Sequence, residues 1–187
     1  FLRPQHFQLQ DAYHEQRLNH IIQASLPFAY GIQSIEFDET QLGMNILALS
    51  RIKMVWQDGE IYRAPELDLL PEPIQLDTLN LRTEMAIYLA LPMIQASKQN
   101  LHHQDHSQSS RYHSYLSSTH DLFTNAATAE ITLVRRRAEF KIFEISQGPE
   151  QALDGYFYLP IGTMKRQSSG NFVLDHKFIP PILHIEA

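Results

Sequence analysis

Met44-Asn45-Ile46-Leu47-Ala48-Leu49-Ser50-Arg51-Ile52-Lys53-Met54-Val55-Trp56-Gln57-Asp58-Gly59 is the stretch that decides the fold class. Its even positions run Met44, Ile46, Ala48, Ser50, Ile52, Met54 and Trp56, and its odd positions include Asn45, Arg51, Lys53 and Gln57. A period of two is the mark of a half-buried strand. Asp58-Gly59 follows directly and predicts a hairpin with a type I′ turn, whose two central residues need positive φ. Glu60 to Ala64 is the expected return strand.

Before this hairpin, residues 4–26 read as one helix. Pro4 suits the first helical position, where a missing N–H costs nothing. Phe7, His14, Leu18, Ile21, Ile22 and Ser25 fall on one face at a 3.6-residue spacing, and Leu9, Tyr13 and Ala24 form a second, weaker one. The pattern suits a helix lying on a sheet, or one gripped on two sides by its own domain and a neighbour. After Pro27 the pattern changes to strands, first at Ile32, Ile35 and Phe37.

Beyond the hairpin, Pro65, Pro71 and Pro73 predict an extended connector over residues 65–84. Met85-Ala86-Ile87-Tyr88-Leu89-Ala90-Leu91 is continuously apolar, as a central strand covered on both faces would be. Trp56, Ile87 and Leu89 are the predicted core. Residues 95–110, rich in Gln, His and Ser, read as a loop. Strands are expected within Tyr112 to Leu122, over Ile131 to Val134 and Ala138 to Ile145 (or as one strand bulged at Arg135-Arg136-Arg137), over Tyr156 to Ile161 and over Phe172 to Leu174. One helix followed by about eight strands at this spacing argues a mainly β fold, a β-sandwich or small barrel. No internal repeat and no second domain are evident.

Composition bounds the function. The 187 residues suffice for one domain with a sizeable core, and 43% hydrophobic with 19% charged residues is a globular balance. A formal net charge of -6 argues against nucleic acid as a partner. The absence of cysteine excludes disulfides and thiolate zinc sites and suits a cytoplasmic protein. The start shows neither a signal-peptide pattern nor an initiator Met, so the chain is expected to be a piece of something longer.

Few residues suggest chemistry. His102-His103-Gln104-Asp105-His106 gathers three imidazoles and a carboxylate, ligands suited to Zn, Ni or Cu. Its polar context predicts a solvated loop that binds no metal tightly, and no cofactor is expected. His14-Glu15 begins a zinc-protease pattern that fails at Leu18. No nucleophile elbow and no Gly-rich phosphate loop are present. Arg135-Arg136-Arg137 is the basic cluster. Flanked by Glu130 and Glu139, it reads as guarding an edge or bulge, or as pairing with an acidic partner.

Leu2-Arg3-Pro4-Gln5-His6-Phe7-Gln8 and the closing Phe178-Ile179-Pro180-Pro181 carry a family resemblance. Between them, Gln57-Asp58-Gly59, Leu70-Pro71-Glu72-Pro73, Tyr88-Leu89-Ala90-Leu91-Pro92, Asp121-Leu122, Asp154-Gly155-Tyr156 to Leu159-Pro160 and Val173-Leu174-Asp175 fit in order. The chain resembles the N-terminal part of the TssK family, baseplate subunits of the bacterial type VI secretion machine. Agreement is poorest over residues 95–130, so no role for the His-rich loop is inherited.

The resemblance implies a non-enzymatic assembly module. Residues 1–181 would form a β-sandwich similar to the shoulder domain of phage receptor-binding proteins. Residues 182–187 would begin a linker to a helical middle region and a C-terminal head. It implies a homotrimer in the full-length protein. Its N-terminal domains would attach to a wedge made with TssF, TssG and TssE. Its C-terminal head would engage TssL and TssM, placing the protein on the cytoplasmic side at the inner membrane. The other readings are a carbohydrate- or receptor-binding adhesin domain and a metal-dependent hydrolase built on the His loop.

Arg3, Pro4, Gln5, His6 and Phe7 are the candidate partner-binding residues, because an Arg fork beside an aromatic is typical of interface anchors. The competing reading is local: Phe7 caps its own domain's core and Arg3 bonds a nearby carboxylate.

Overall fold

The computed structural model describes residues 3–79, 84–95, 100–102, 109–120, 128–146, 148–149, 152–168 and 170–183. Helix α1 spans Pro4–Ser25, with Pro4 in its first turn as its fixed φ favours. His6 closes the start: its N–H donates to Arg3 O at 2.9 Å, and its Nδ1 accepts from the Arg3 N–H at 3.0 Å. Leu26 ends the helix, and Pro27 follows.

The strands make two principal sheets. The first has the order β1-β3-β4, from β1 (Gly31–Phe37), β3 (Leu49–Val55) and β4 (Ile61–Ala64), all antiparallel. The second has the order β10-β6-β11-β12, from β6 (Met85–Pro92), β10 (Glu139–Glu144), β11 (Tyr156–Arg166) and β12 (Phe172–Leu174). Ile52, Met54, Trp56 and Tyr62 from the first meet Ile87, Leu89, Leu159 and Ile161 from the second in one buried cluster. This is the predicted β-sandwich with one long N-terminal helix. Trp56, Ile87 and Leu89 are fully buried, and β6 lies between β10 and β11.

Smaller elements complete it. Helix α2 (Glu39–Leu42) is capped by Asp38, whose Oδ1 accepts from the Gln41 N–H at 3.0 Å. That bond holds the Asp38 carboxyl below its ordinary range. Strand β2 (Ile46–Leu47) pairs with β5 (Ile74–Gln75), and a 3₁₀ turn over Leu76–Thr78 buries Leu76. A third sheet is built from β7 (Leu101–His102), β8 (Tyr112–His120) and β9 (Thr128–Arg136).

Several expectations need correction. The alternation holds from Ile52 to Trp56 but not before it. Leu47, Ala48 and Leu49 are all buried, whereas Met44 is exposed, because the chain breaks between β2 and β3 and changes neighbours. The hairpin turn is not type I′. Gly59 donates to Trp56 O at 2.9 Å and is the turn residue with positive φ, at 86°. Trp56 N–H then reaches Glu60 O at 2.9 Å, a turn with a glycine bulge. The connector of residues 65–84 is more than surface chain, since Asp68 and Leu76 are buried. Of the two readings offered for this region, two strands is the one found, and β9 (Thr128–Arg136) and β10 lie in different sheets. Nor does α1 lie on a sheet: none of its residues is buried.

The far end of the described chain returns to the first sheet. Ile32 N–H donates to Pro181 O at 2.8 Å and Leu183 N–H to Ile32 O at 3.0 Å. Gly31 makes this possible: its φ is +144°, and a Cβ there would lie 2.9 Å from Ile182 C and Leu183 N. Gly31→Ala is therefore expected to push residues 181–183 off β1 at a cost of about 1–3 kcal/mol. Hydrogen exchange at Leu183 reads it directly, and unchanged protection there would contradict the account.

Candidate interaction surface

Three exposed features surround the sandwich, and an ionic cluster holds one of them in place. The first is α1. Phe7 is 55% exposed, Leu9 71%, Tyr13 59%, Leu18 61% and Ile21 54%. The contacts of the helix with its own domain include bonds and packing from its last turns. Gln23 Nε2 donates to Gln57 O at 3.1 Å, and Asn19 sits against Gly59. Arg3, Pro4, Gln5, His6 and Phe7 lie together at the distal end, all exposed. Phe7 does not cap the core, and no carboxylate among the described residues pairs with Arg3.

The second feature is an apolar groove where α1 meets the hairpin. Ile22, Leu26 and Phe28 line one side, and Val55, Ile61 and Leu183 the other. The third is the β8–β9 arm, with Leu116, Ile131 and Val134 exposed along it.

The base of that arm is tied down by charge. Arg111, one residue before β8, is only 1% exposed. Its Nη2 donates to Asp58 Oδ2 at 2.6 Å and its Nη1 to Pro92 O at 3.0 Å, while Glu60 Oε1 stands 4.0 Å away. The rings of Tyr112 and Phe157 lie 5.9 Å from the guanidinium. Arg136, at the end of β9, pairs with Glu60 and with Asp68, its Nε standing 3.0 Å from Asp68 Oδ1. Asp68 also accepts from the N–H groups of Arg63 at 3.0 Å and Arg136 at 3.3 Å. Burial pushes the Asp68 carboxyl above its ordinary range against these bonds, and burial lowers the Arg136 guanidinium.

Tyr62 completes the junction: its hydroxyl donates to Leu69 O and accepts from the Ala138 N–H at 3.1 Å. Burial pushes that phenol well above the usual range. The arginine triplet thus serves mainly inside the chain, with Arg137 pairing to Glu72 at 2.6 Å. Arg135 instead stacks over Tyr115 at 4.6 Å.

A small polar pocket beside Arg111 is lined by Gln95, Asn100, Ser109, Asp154 and Tyr156. This amide, acid and tyrosine chemistry is what a sugar site would need, but much of it is engaged internally. Asn100 exchanges bonds of 2.9 Å with both backbone groups of Gln95. Ser109 bonds Glu139 and Tyr156. Of the predicted His cluster, His102 falls in β7, and His103 and His106 lie outside the described residues. Among the described residues no group of three His, Asp or Glu could hold a metal ion, and no helix is long and apolar enough to cross a membrane.

Sequence reasoning missed Arg111, Asp58, Glu60 and Asp68 as one cluster. Arg111 sat in a polar stretch and Asp68 in a proline-rich connector, and partners 53 and 68 residues apart leave no local signal.

The family described as bacterial type VI secretion, EvfL, ImpJ and VasE matches residues 6–187. The chain is 26% identical over 190 residues to the type VI secretion system baseplate component TssK1 of Pseudomonas aeruginosa. That alignment covers 100% of this chain and 41% of the relative, so the chain spans well under half of that protein's length. It is similar to a chain in a cryo-electron microscopy structure of the type VI secretion system TssK-TssF-TssG baseplate subcomplex. The TM-score is 0.83 at 26% identity, over 97% of this chain and 59% of that one. A crystal structure of TssK shares the fold, with a TM-score of 0.82 at 24% identity over 97% of this chain and 40% of that one.

Proposed function

The chain belongs to the bacterial type VI secretion family of EvfL, ImpJ and VasE, and on that membership we propose that it is a structural assembly module of the secretion baseplate. It docks a connector subunit onto the wedge that contains TssF and TssG, on the cytoplasmic side of the inner membrane. The full-length protein acts as a trimer, and regions outside this chain reach TssL and TssM. The reading assigns the chain no catalytic role and no cofactor.

One observation carries it: α1 holds 22 residues, none of them buried, and presents a row of large apolar side chains. Exposed apolar surface on this scale marks an interaction site. The distal Arg3-Pro4-Gln5-His6-Phe7 segment is its anchor. The TssK-TssF-TssG assembly of a similar chain supports the choice of partner.

The test is the double variant Arg3→Ala, Phe7→Ala in the full-length protein. Both side chains are exposed, so melting should stay within about 0.5 kcal/mol of the parent. Loss of an interface anchor costs about 2 kcal/mol or more, roughly a 30-fold weaker wedge complex. Trimer formation is scored in parallel. Normal melting together with normal wedge binding would refute the docking role of this segment.

A further inference from the structure

Strand β9 has a long open edge, matched in length among the described residues only by the edge of β8 beyond its short pairing with β7. The outer edge of β1 is occupied by residues 181–183. Strands β4 and β12 hold only 4 and 3 residues, and β10 carries Glu139, Lys141 and Glu144 along its length. Strand β9 runs for 9 residues with no Pro, no Lys and an unbroken register against β8. Pro, Lys and a bulge are among the usual guards against strand addition and β9 has none of them; its charges are Glu130 and, at one end, Arg135 and Arg136.

The pairing shows which backbone groups face outward. Arg137 N–H donates back to Arg111 O at 3.3 Å. Arg136 turns the other way: its O accepts from the Leu69 N–H at 2.9 Å, and its N–H donates to Asp68 Oδ1 at 3.3 Å. Antiparallel pairs alternate between bonded and non-bonded positions. With Tyr112↔Arg136 through His120↔Thr128 in continuous register, Thr128, Glu130, Thr132 and Val134 also aim N–H and C=O away from β8. Leu69 shows that this edge accepts extended backbone, since it already forms a parallel bridge beside Arg137.

The side chains describe the partner. Ile131, Leu133 and Arg135 share one face with Tyr115, because side chains alternate along a strand. Ile131 is exposed, and Arg135 alone of the arginine triplet has no carboxylate at ion-pairing distance among the described residues. A second copy of β9 would leave Arg135 without a carboxylate. Outward groups sit on even positions, so antiparallel pairing sets odd residues opposite odd residues. Ala129, Ile131, Leu133 and Arg135 include no acid, and Glu130 falls on the other face.

We propose that the β9 edge from Thr128 to Val134 receives an extended segment of a wedge subunit as an added strand, with apolar residues at alternate positions and a carboxylate against Arg135. Backbone bonds would supply affinity, and the Ile131–Leu133–Arg135 face would supply specificity. The inference rests on the wedge reading above and uses a surface separate from α1.

The experiment uses the full-length protein with the purified TssF–TssG complex. Hydrogen exchange at the amides of Glu130, Thr132 and Val134 should slow at least about tenfold on binding, as newly bonded strand amides do. Thr132→Pro removes an N–H that β8 does not use, so the domain should melt as before while wedge affinity drops about tenfold or more. Arg135→Glu should weaken binding similarly through charge. If Thr132→Pro melts early, the exchange measurement on the unmodified protein and Arg135→Glu decide. Unchanged exchange in a formed complex, or full affinity in a folded Thr132→Pro, overturns strand addition and leaves the wedge reading standing. Failure of the unmodified protein to bind the wedge overturns both.

Discussion

Trp56→Ala should destabilise the domain by about 3–5 kcal/mol, and Ile87→Ala by about 2–5 kcal/mol. Both side chains are fully buried, one on each side of the interface between the principal sheets. Trp56 meets the Tyr62 ring edge-on, with centroids 6.0 Å apart. Tyr62 in turn holds Leu69 and Ala138, so a cavity at Trp56 loosens the junction between β4 and β10 as well as the core. The Trp56 Nε1–H finds no acceptor among the described residues, so part of the indole is poorly satisfied. Trp56→Phe, which removes that group and leaves a smaller cavity, should therefore cost less than Trp56→Ala. Chemical denaturation checks all three. A domain of this kind has only about 5–15 kcal/mol in hand. A loss well under about 1 kcal/mol for Ile87→Ala would mean that β6 is not the central strand.

Asp58→Ala is the second large effect, at about 3–5 kcal/mol. The variant leaves the Arg111 guanidinium buried, with Pro92 O as its remaining close acceptor and Glu60 at 4.0 Å. The cost arises from the stranded charge, not from the intrinsic strength of the pair. Adding Arg111→Met should then recover stability, since an apolar chain of similar length fills the site without a charge. The double variant is expected to be more stable than Asp58→Ala alone. Simple addition of the two single losses in a double-mutant cycle would show that Arg111 is not stranded by loss of Asp58.

Much of the architecture was legible locally. The apolar run Met85 to Leu91 is β6, the alternation ending at Trp56 is β3, and Pro4 opens the helix. Each depends on neighbours within one element, where the period of burial is written into adjacent residues. The terminal motifs likewise carried the family, because a motif is itself local. The hairpin was found but its turn was misjudged: Asp-Gly serves several turn geometries, and here only Gly59 of the pair takes positive φ.

What the sequence by itself determined, then, was where most of the longer strands lie, the buried faces of β6 and of β3 from Ile52 to Trp56, and the family to which the chain belongs. Only the tertiary structure decided that α1 stands clear of the sheets, since an amphipathic spacing states that a face needs covering without stating what covers it. It also decided that Arg111, Asp58, Glu60, Arg136 and Asp68 gather at the base of an arm, and that β9 turns Thr128, Glu130, Thr132 and Val134 to an open edge. Charges and backbone groups acquire partners through contacts between distant segments, and those distances are set by how the sheets close on their core.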